Sequence, residues 1–291
     1  MGEATVIRRF SSALFLLFPL SVGADNGKSA WPGPDGPVYV ITQNHYAEGF
    51  TPGGDTPRLT DLIAIQIFSP KSAQSIRAAY KIGEQLAVFV GAQRRGVVSI
   101  KKVMPFQCDS SAAVVAPTAS LQFGEDAMAL GTNAKNVRPH DSHRRPPNDH
   151  ELNQIKLLVM IEFQEHGIAR KFSEAIKVDQ VIVTRVDDTD DKLLIGSLSL
   201  EALGAGHRIF LIARITGSGA IAELARYHKT TDLQDGTDME DVRVVDQLDL
   251  DGDGTDEIVL EVTGYESEAF TIYKRTNAQW IKVHVGGQGG C

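Results

Sequence analysis

The residues most able to do chemistry are the acids of one short stretch, Asp249-Leu250-Asp251-Gly252-Asp253-Gly254-Thr255-Asp256-Glu257. Hard cations such as Ca²⁺ take six to eight oxygen ligands in a flexible cage, and alternating acids in a tight turn aim successive carboxylates at one centre. Asp249, Asp251 and Asp253 stand at positions 1, 3 and 5 of such a turn. Gly254 at position 6 permits the reversal, Thr255 at position 7 offers a backbone carbonyl, and Glu257 at position 9 closes the site directly or through water. Three aspartates this close repel one another unless a cation sits between them, so the spacing predicts Ca²⁺ rather than Mg²⁺, which keeps more waters in a stricter octahedron.

The turn departs from the EF-hand pattern. Position 12 is Leu260, where a bidentate glutamate is required. The residues that follow, Ile258-Val259-Leu260-Glu261-Val262, are β-branched and predict a strand, not a helix. The D-x-D-x-D-G core followed by an acid and a hydrophobic strand resembles the calcium loops of FG-GAP and VCBS repeats, found in integrin-α-like β-propellers. The resemblance covers Asp249 to Glu257 and the strand after it. It implies a turn joining two strands of a blade, with Asp249, Asp251, Asp253 and Glu257 as side-chain ligands and Thr255 as a backbone ligand.

The elements that must position this turn are mostly strands. Val181–Val186, Leu193–Leu200, Ile209–Ile215 and Ile221–Tyr227 form one predicted group of four. Val242–Leu248, Ile258–Val262, Phe270–Tyr273 and Trp280–Val285 form a second. A second acidic turn at Asp187 precedes Asp249 by 62 residues, which makes the two groups a degenerate repeat or, alternatively, leaves two unrelated acidic turns. The Asp187 turn is shorter and lacks both glycines, so it predicts no ion. Upstream, Asn148 and Glu151 start a capping box, and Leu152, Ile155, Leu158, Val159 and Phe163 give a helical stripe over 150–165 that Gly167 ends. A shorter helix follows over 169–176. Val38–Gln43, Leu62–Phe68, Leu86–Val90, Val97–Lys101 and Ala112–Ala116 predict strands in the first half, with a helix over Ser72–Ile82.

The expected fold is therefore α+β and β-rich, its C-terminal antiparallel strands in two four-stranded units, propeller-blade-like or sandwich-like. The expected organisation is a signal peptide (1–24), a flexible leader (25–37), an N-terminal β-rich region (38–130), a linker or surface loop (131–149), a helical segment (150–177), a C-terminal β domain with the calcium loop (178–287) and a Gly-rich tail ending in cysteine (288–291). The signal peptide rests on Arg8-Arg9, the apolar run Phe10–Leu20 and the small residues before Asp25. That run is shorter than the about 20 residues that span a bilayer, and no later stretch is a better candidate, so no membrane span is expected. Cleavage after Ala24 removes Glu3, Arg8 and Arg9 and leaves 267 residues of net charge −9. An acidic chain without clustered Lys and Arg argues against nucleic acid.

In an exported chain, Cys108 and Cys291 predict a disulfide with each other; the alternative is that Cys291, on its glycine-rich tail, stays free or pairs with another molecule. His140, Asp141, His143, Asp149 and His150 crowd the central linker and its end, but H-x-x-H in a proline-rich segment matches no known zinc or copper geometry. There is no G-x-S-x-G elbow, phosphate-binding loop or dinucleotide-binding turn. Of Tyr265, Phe270, Tyr273 and Trp280, those facing inward belong to a core. The functional expectation is a secreted or periplasmic, calcium-binding, non-catalytic binding or structural protein with a protein or carbohydrate partner. The alternatives are an exported hydrolase with an unrecognised site and a disulfide-linked subunit of a larger assembly.

Overall fold

The computed structural model describes residues 31–42, 58–63, 80–103, 111–117, 128–231, 233 and 236–290. The signal peptide, Cys108, Cys291, residues 64–68 of the second expected strand and 72–79 of the first expected helix lie outside them. Tyr80 to Ile82, the end of that helix, form a bend and turn. The chain is β-rich α+β, as its alternation of apolar residues implies.

Six strands, β1 (Val38–Thr42), β2 (Arg58–Ile63), β3 (Gln85–Val90), β4 (Gln93–Val103), β5 (Ser111–Pro117) and β6 (Met128–Thr132), close into a barrel in the order β1-β2-β5-β4-β3-β6. The closing pair is β6 against β1, antiparallel. Ile41, Leu59, Leu86, Val88, Ile100 and Val115 fill the interior. The β3–β4 connection is only Gly91-Ala92, both at positive φ (59° and 62°), the geometry of a type I′ hairpin. The sequence suggested a longer turn because Gln93, Arg94 and Arg95 are polar; Gln93 and Arg94 pair with β3 nonetheless, and Arg95 falls at a bulge within β4.

Helix α1 (Asp149–Glu165) starts at the predicted capping box: the Asn148 side chain accepts from the Glu151 amide and Glu151 accepts from the Asn148 amide, each at 2.9 Å. Arg145 clamps the same carboxylate with two nitrogens at 2.6 and 2.7 Å. Gly167, at φ 82°, lies just past the end. The expected second helix is a 3₁₀ turn, Arg170–Ala175.

Eight strands then form two four-stranded antiparallel meanders. The first sheet holds β7 (Lys177–Thr184), β8 (Leu193–Ala202), β9 (Ala205–Thr216) and β10 (Gly219–Thr230). The second holds β11 (Glu240–Leu248), β12 (Glu257–Gly264), β13 (Ser267–Thr276) and β14 (Gln279–Gly290). Both sheets are covered on both faces, which explains why their strands read as apolar runs. Ile155, Val159 and Phe163 of α1 pack on Leu194, Leu198, Leu211 and Ala213 of the first sheet. Leu193, Ile195, Phe210 and Ile212, on the alternate face, meet Val244, Ile258, Leu260 and Trp280 of the second sheet. Val245, Val259, Phe270 and Ile272 on the far side of the second sheet pack against Val38, Val40, Leu62 and Leu130 of the barrel. The layers therefore run helix, sheet, sheet, barrel. Phe270, Tyr273 and Trp280 are core residues, and Tyr265 is exposed.

The segment between β6 and α1 threads this stack. Arg138 bridges to Asp249, the His140 amide donates to the Ala92 carbonyl, and Arg145 pairs with Val183 through both backbone groups. Ser142 is buried, its hydroxyl donating to the Gly91 carbonyl at 2.6 Å. At the start of the described chain, Asp35 accepts from the Lys135 amide and Asn136 donates to the Gly33 carbonyl.

Candidate cation centre in the second sheet

The acidic stretch is the β11–β12 connection. Its backbone is shaped by its own carboxylates. Asp249 accepts from the amides of Gly252 (2.7 Å) and Gly254 (2.9 Å). Asp251 accepts from the Asp253 amide (3.3 Å), Asp253 from the Thr255 amide (2.9 Å), and Glu257 reaches back to the Leu250 amide (2.8 Å). Leu250, fully buried in the core shared with the barrel, pins the turn from below. Gly252 (φ 80°) and Gly254 (φ 93°) are left-handed, where a Cβ is strained. A Cβ at Gly252 would also lie 2.7 Å from the Asn136 carbonyl oxygen.

Asp251, Asp253 and Glu257 each spend one oxygen on an amide and aim the other at a common point. That point is occupied by Lys274 of β13. Its ammonium donates to Asp251 Oδ2 (2.7 Å), Asp253 Oδ2 (2.8 Å) and Glu257 Oε1 (2.9 Å). Asp251 and Glu257 are almost wholly buried at 2% and 0% side-chain exposure, while Asp253 is 48% exposed, so the lysine closes an inward-facing site and not a surface pair. Burial disfavours the Lys274 charge, but the three carboxylates more than reverse this and hold its pKa above the ordinary lysine range. Burial raises Glu257 to about 7 despite the lysine. Asp249 is raised by burial as well. In Asp253, burial is outweighed by Lys274 and the Thr255 amide, and its pKa is lowered.

Oxygens of Asp249, Asp251 and Glu257 lie within 4.8 Å of one another. The all-oxygen donor set suits a hard cation. The ammonium and an ion cannot share the centre: both need the oxygens of Asp251 and Glu257, and two cations so close repel strongly. Of the five sequence-predicted ligand residues, Asp249, Asp251 and Glu257 converge; Asp253 joins them through Lys274. Thr255 is half-buried in the turn and donates its amide to Asp253.

Two residues that sequence reasoning passed over complete the surroundings. Lys274 carries no local signal, being 17 residues beyond Glu257. Only the β12–β13 register, which pairs Ile258 with Tyr273, places the next residues on each side, Glu257 and Lys274, together. Asp256, in the turn itself, points away from the acids. It is fully buried, meets His140 Nδ1 at 3.2 Å and accepts from Gln247 Nε2 at 2.7 Å. The Asp256 carboxylate raises the His140 pKa. The other histidines near residue 140 go elsewhere: His143 faces Asp141 and His150 faces Gln154. Among the described residues, they form no metal cluster with His140.

No family model, no curated protein and no solved structure matches the chain. Fold and site together define a β-rich scaffold of two meander sheets on a barrel, with a carboxylate-lined turn between the first two strands of the second sheet.

Proposed function

We propose that this is an exported, calcium-binding, non-catalytic protein of the cell envelope or exterior, in which the ion staples the β11–β12 turn of an FG-GAP/VCBS-like blade. The observation that carries this reading is the convergence of the Asp249, Asp251 and Glu257 oxygens within 4.8 Å. The ion displaces the Lys274 ammonium, which swings out along β13. Order in the turn then holds the hairpin against the barrel through Leu250. No helix among the described residues is long and apolar enough to cross a membrane.

Lys274 favours a second reading, in which the ammonium is the staple and the turn has no need of metal. Thermal unfolding of the full chain and of Lys274→Met, each in calcium and in chelator, separates the two. Calcium at 100 times its dissociation constant adds about 2.7 kcal/mol. A calcium-dependent rise in wild-type Tm supports the first reading. A rise only in Lys274→Met supports the second. No rise in either chain removes calcium from the account.

A further inference from the structure

We propose that the Asp246 carboxyl is a proton-controlled latch, which fastens the barrel to the second sheet and loosens when it ionises. The barrel meets that sheet at its β3–β4 turn, Gly91-Ala92, and Ala92 belongs to the core the two share. The turn is held at three points. The Gly91 amide donates to Asp246 Oδ1 of β11 at 2.8 Å, the Gly91 carbonyl accepts from the Ser142 hydroxyl at 2.6 Å, and the Ala92 carbonyl accepts from the His140 amide at 3.1 Å. A Cβ at Gly91 would lie 3.3 Å from Arg144 Cδ, so the segment before α1 lies directly on the turn. Arg144 then donates to the same Asp246 oxygen at 2.8 Å. One carboxyl oxygen thus gathers a barrel turn, the threading segment and a strand of the second sheet.

The other oxygen makes the fastening conditional. Asp246 is 0% exposed, and among the described residues no hydrogen bond reaches its Oδ2. An anionic oxygen sealed without a donor costs far more than a neutral hydroxyl in the same place. A proton on Oδ2 removes the charge and leaves Oδ1 to accept from Gly91 and Arg144, so the closed junction suits the neutral carboxyl. The ionised carboxyl keeps both bonds but needs water at Oδ2, and water reaches it only when the turn and the segment lift. Burial accordingly raises the Asp246 pKa to about 7, against the pull of Arg144 and of the Gln247 and Gly91 amides, and with a smaller push from Asp256. The charged groups that face it are Arg144 of the threading segment and Asp256 at the end of the β11–β12 turn, with His140 beyond Asp256; Gly91-Ala92 brings none. The folded value lies above the ordinary 3.8, so the stabilisation is complete below that pH and is lost as pH rises through about 7. The junction is closed in acid and loosens above neutrality.

Amide hydrogen exchange of the full chain, corrected for the intrinsic pH dependence of exchange, reads the latch. With an ordinary carboxyl pKa in the open junction, the opening constant at the Gly91 and His140 amides should rise about a hundredfold from pH 5 to pH 8. That at Leu211, in the core beneath α1, should not follow. Asp246→Asn keeps an oxygen for Gly91 and Arg144 but never ionises, and it should abolish the rise. The titrations of His140 and Glu257 survive in this variant, so a rise that persists in it belongs to them and overturns the latch. In the wild type, the Asp246 carboxyl carbon should titrate at about pH 7 by NMR, a reading that stands even if Asp246→Asn misfolds. A midpoint at about pH 4, unchanged opening at Gly91 and His140 between pH 5 and pH 8, or an equal rise at Leu211 would each overturn the proposal.

Discussion

Two acidic turns stand at equivalent places in the two sheets, β7–β8 and β11–β12, and they behave differently. In the first, Asp187 accepts from the Thr189 amide at 2.9 Å, Asp190 is 99% exposed beside Arg185, and Asp187 lies 4.0 Å from Arg275. Its acids splay outward and find separate partners. In the second, the carboxylates fold inward onto one ammonium. The difference is not charge, since both are rich in aspartate. It is backbone freedom and anchoring: Gly252 and Gly254 take the left-handed turns that carry the chain beneath its own acids, and buried Leu250 holds it down. Two consecutive residues of β13 serve the two turns from opposite faces, Lys274 the second and Arg275 the first. Arg275 also bonds Glu223 at 2.7 Å. An acidic sequence becomes a cation site only where the backbone turns its carboxylates inward and a neighbouring strand presents the answering charge.

The sharpest way to break this contrast is Lys274→Met. In chelator it leaves buried carboxylates facing one another and should cost about 3–5 kcal/mol, as does removing one partner of a buried pair. Under the calcium reading the loss is restored by calcium. The second turn should also respond to pH. Glu257 has a folded pKa of about 7, above its unfolded value of about 4.5. Its contribution is therefore fully present below about pH 4.5 and lost as pH rises to about 7, a change of about 3 kcal/mol. Denaturant unfolding of wild type against Glu257→Gln in chelator should show the slope in the first and its disappearance in the second. Gly252→Ala should cost about 2 kcal/mol through its φ and the Asn136 carbonyl oxygen, read as a drop in Tm. Asp190→Ala in the first turn should leave Tm unmoved, because that carboxylate is already in water. A destabilised Asp190→Ala would show that the first turn, too, depends on its acids.

Much of this architecture was legible along the chain. Each of the eight C-terminal strands shows as a run of β-branched and apolar residues, and α1 is capped at Asn148 because a capping box is a local hydrogen-bond pattern four residues long. The acids of the β11–β12 turn could be read for the same reason: Asp249, Asp251, Asp253 and Glu257 bond to amides within their own turn. The barrel could not be read, because its closure by β6 against β1 is a long-range pairing that no local periodicity encodes. Nor could the width of the β3–β4 turn, where three polar residues continue the strand.

The sequence alone determined which C-terminal segments bend, which run as strands and where carboxylates concentrate, since these follow from backbone preferences and side-chain alternation within a few residues. Tertiary structure decided what meets those carboxylates. Lys274 enters the turn by strand register, and Asp256 turns to His140 across layers. Each of these depends on contacts between residues distant in sequence, whose partner is set only when the sheets pack.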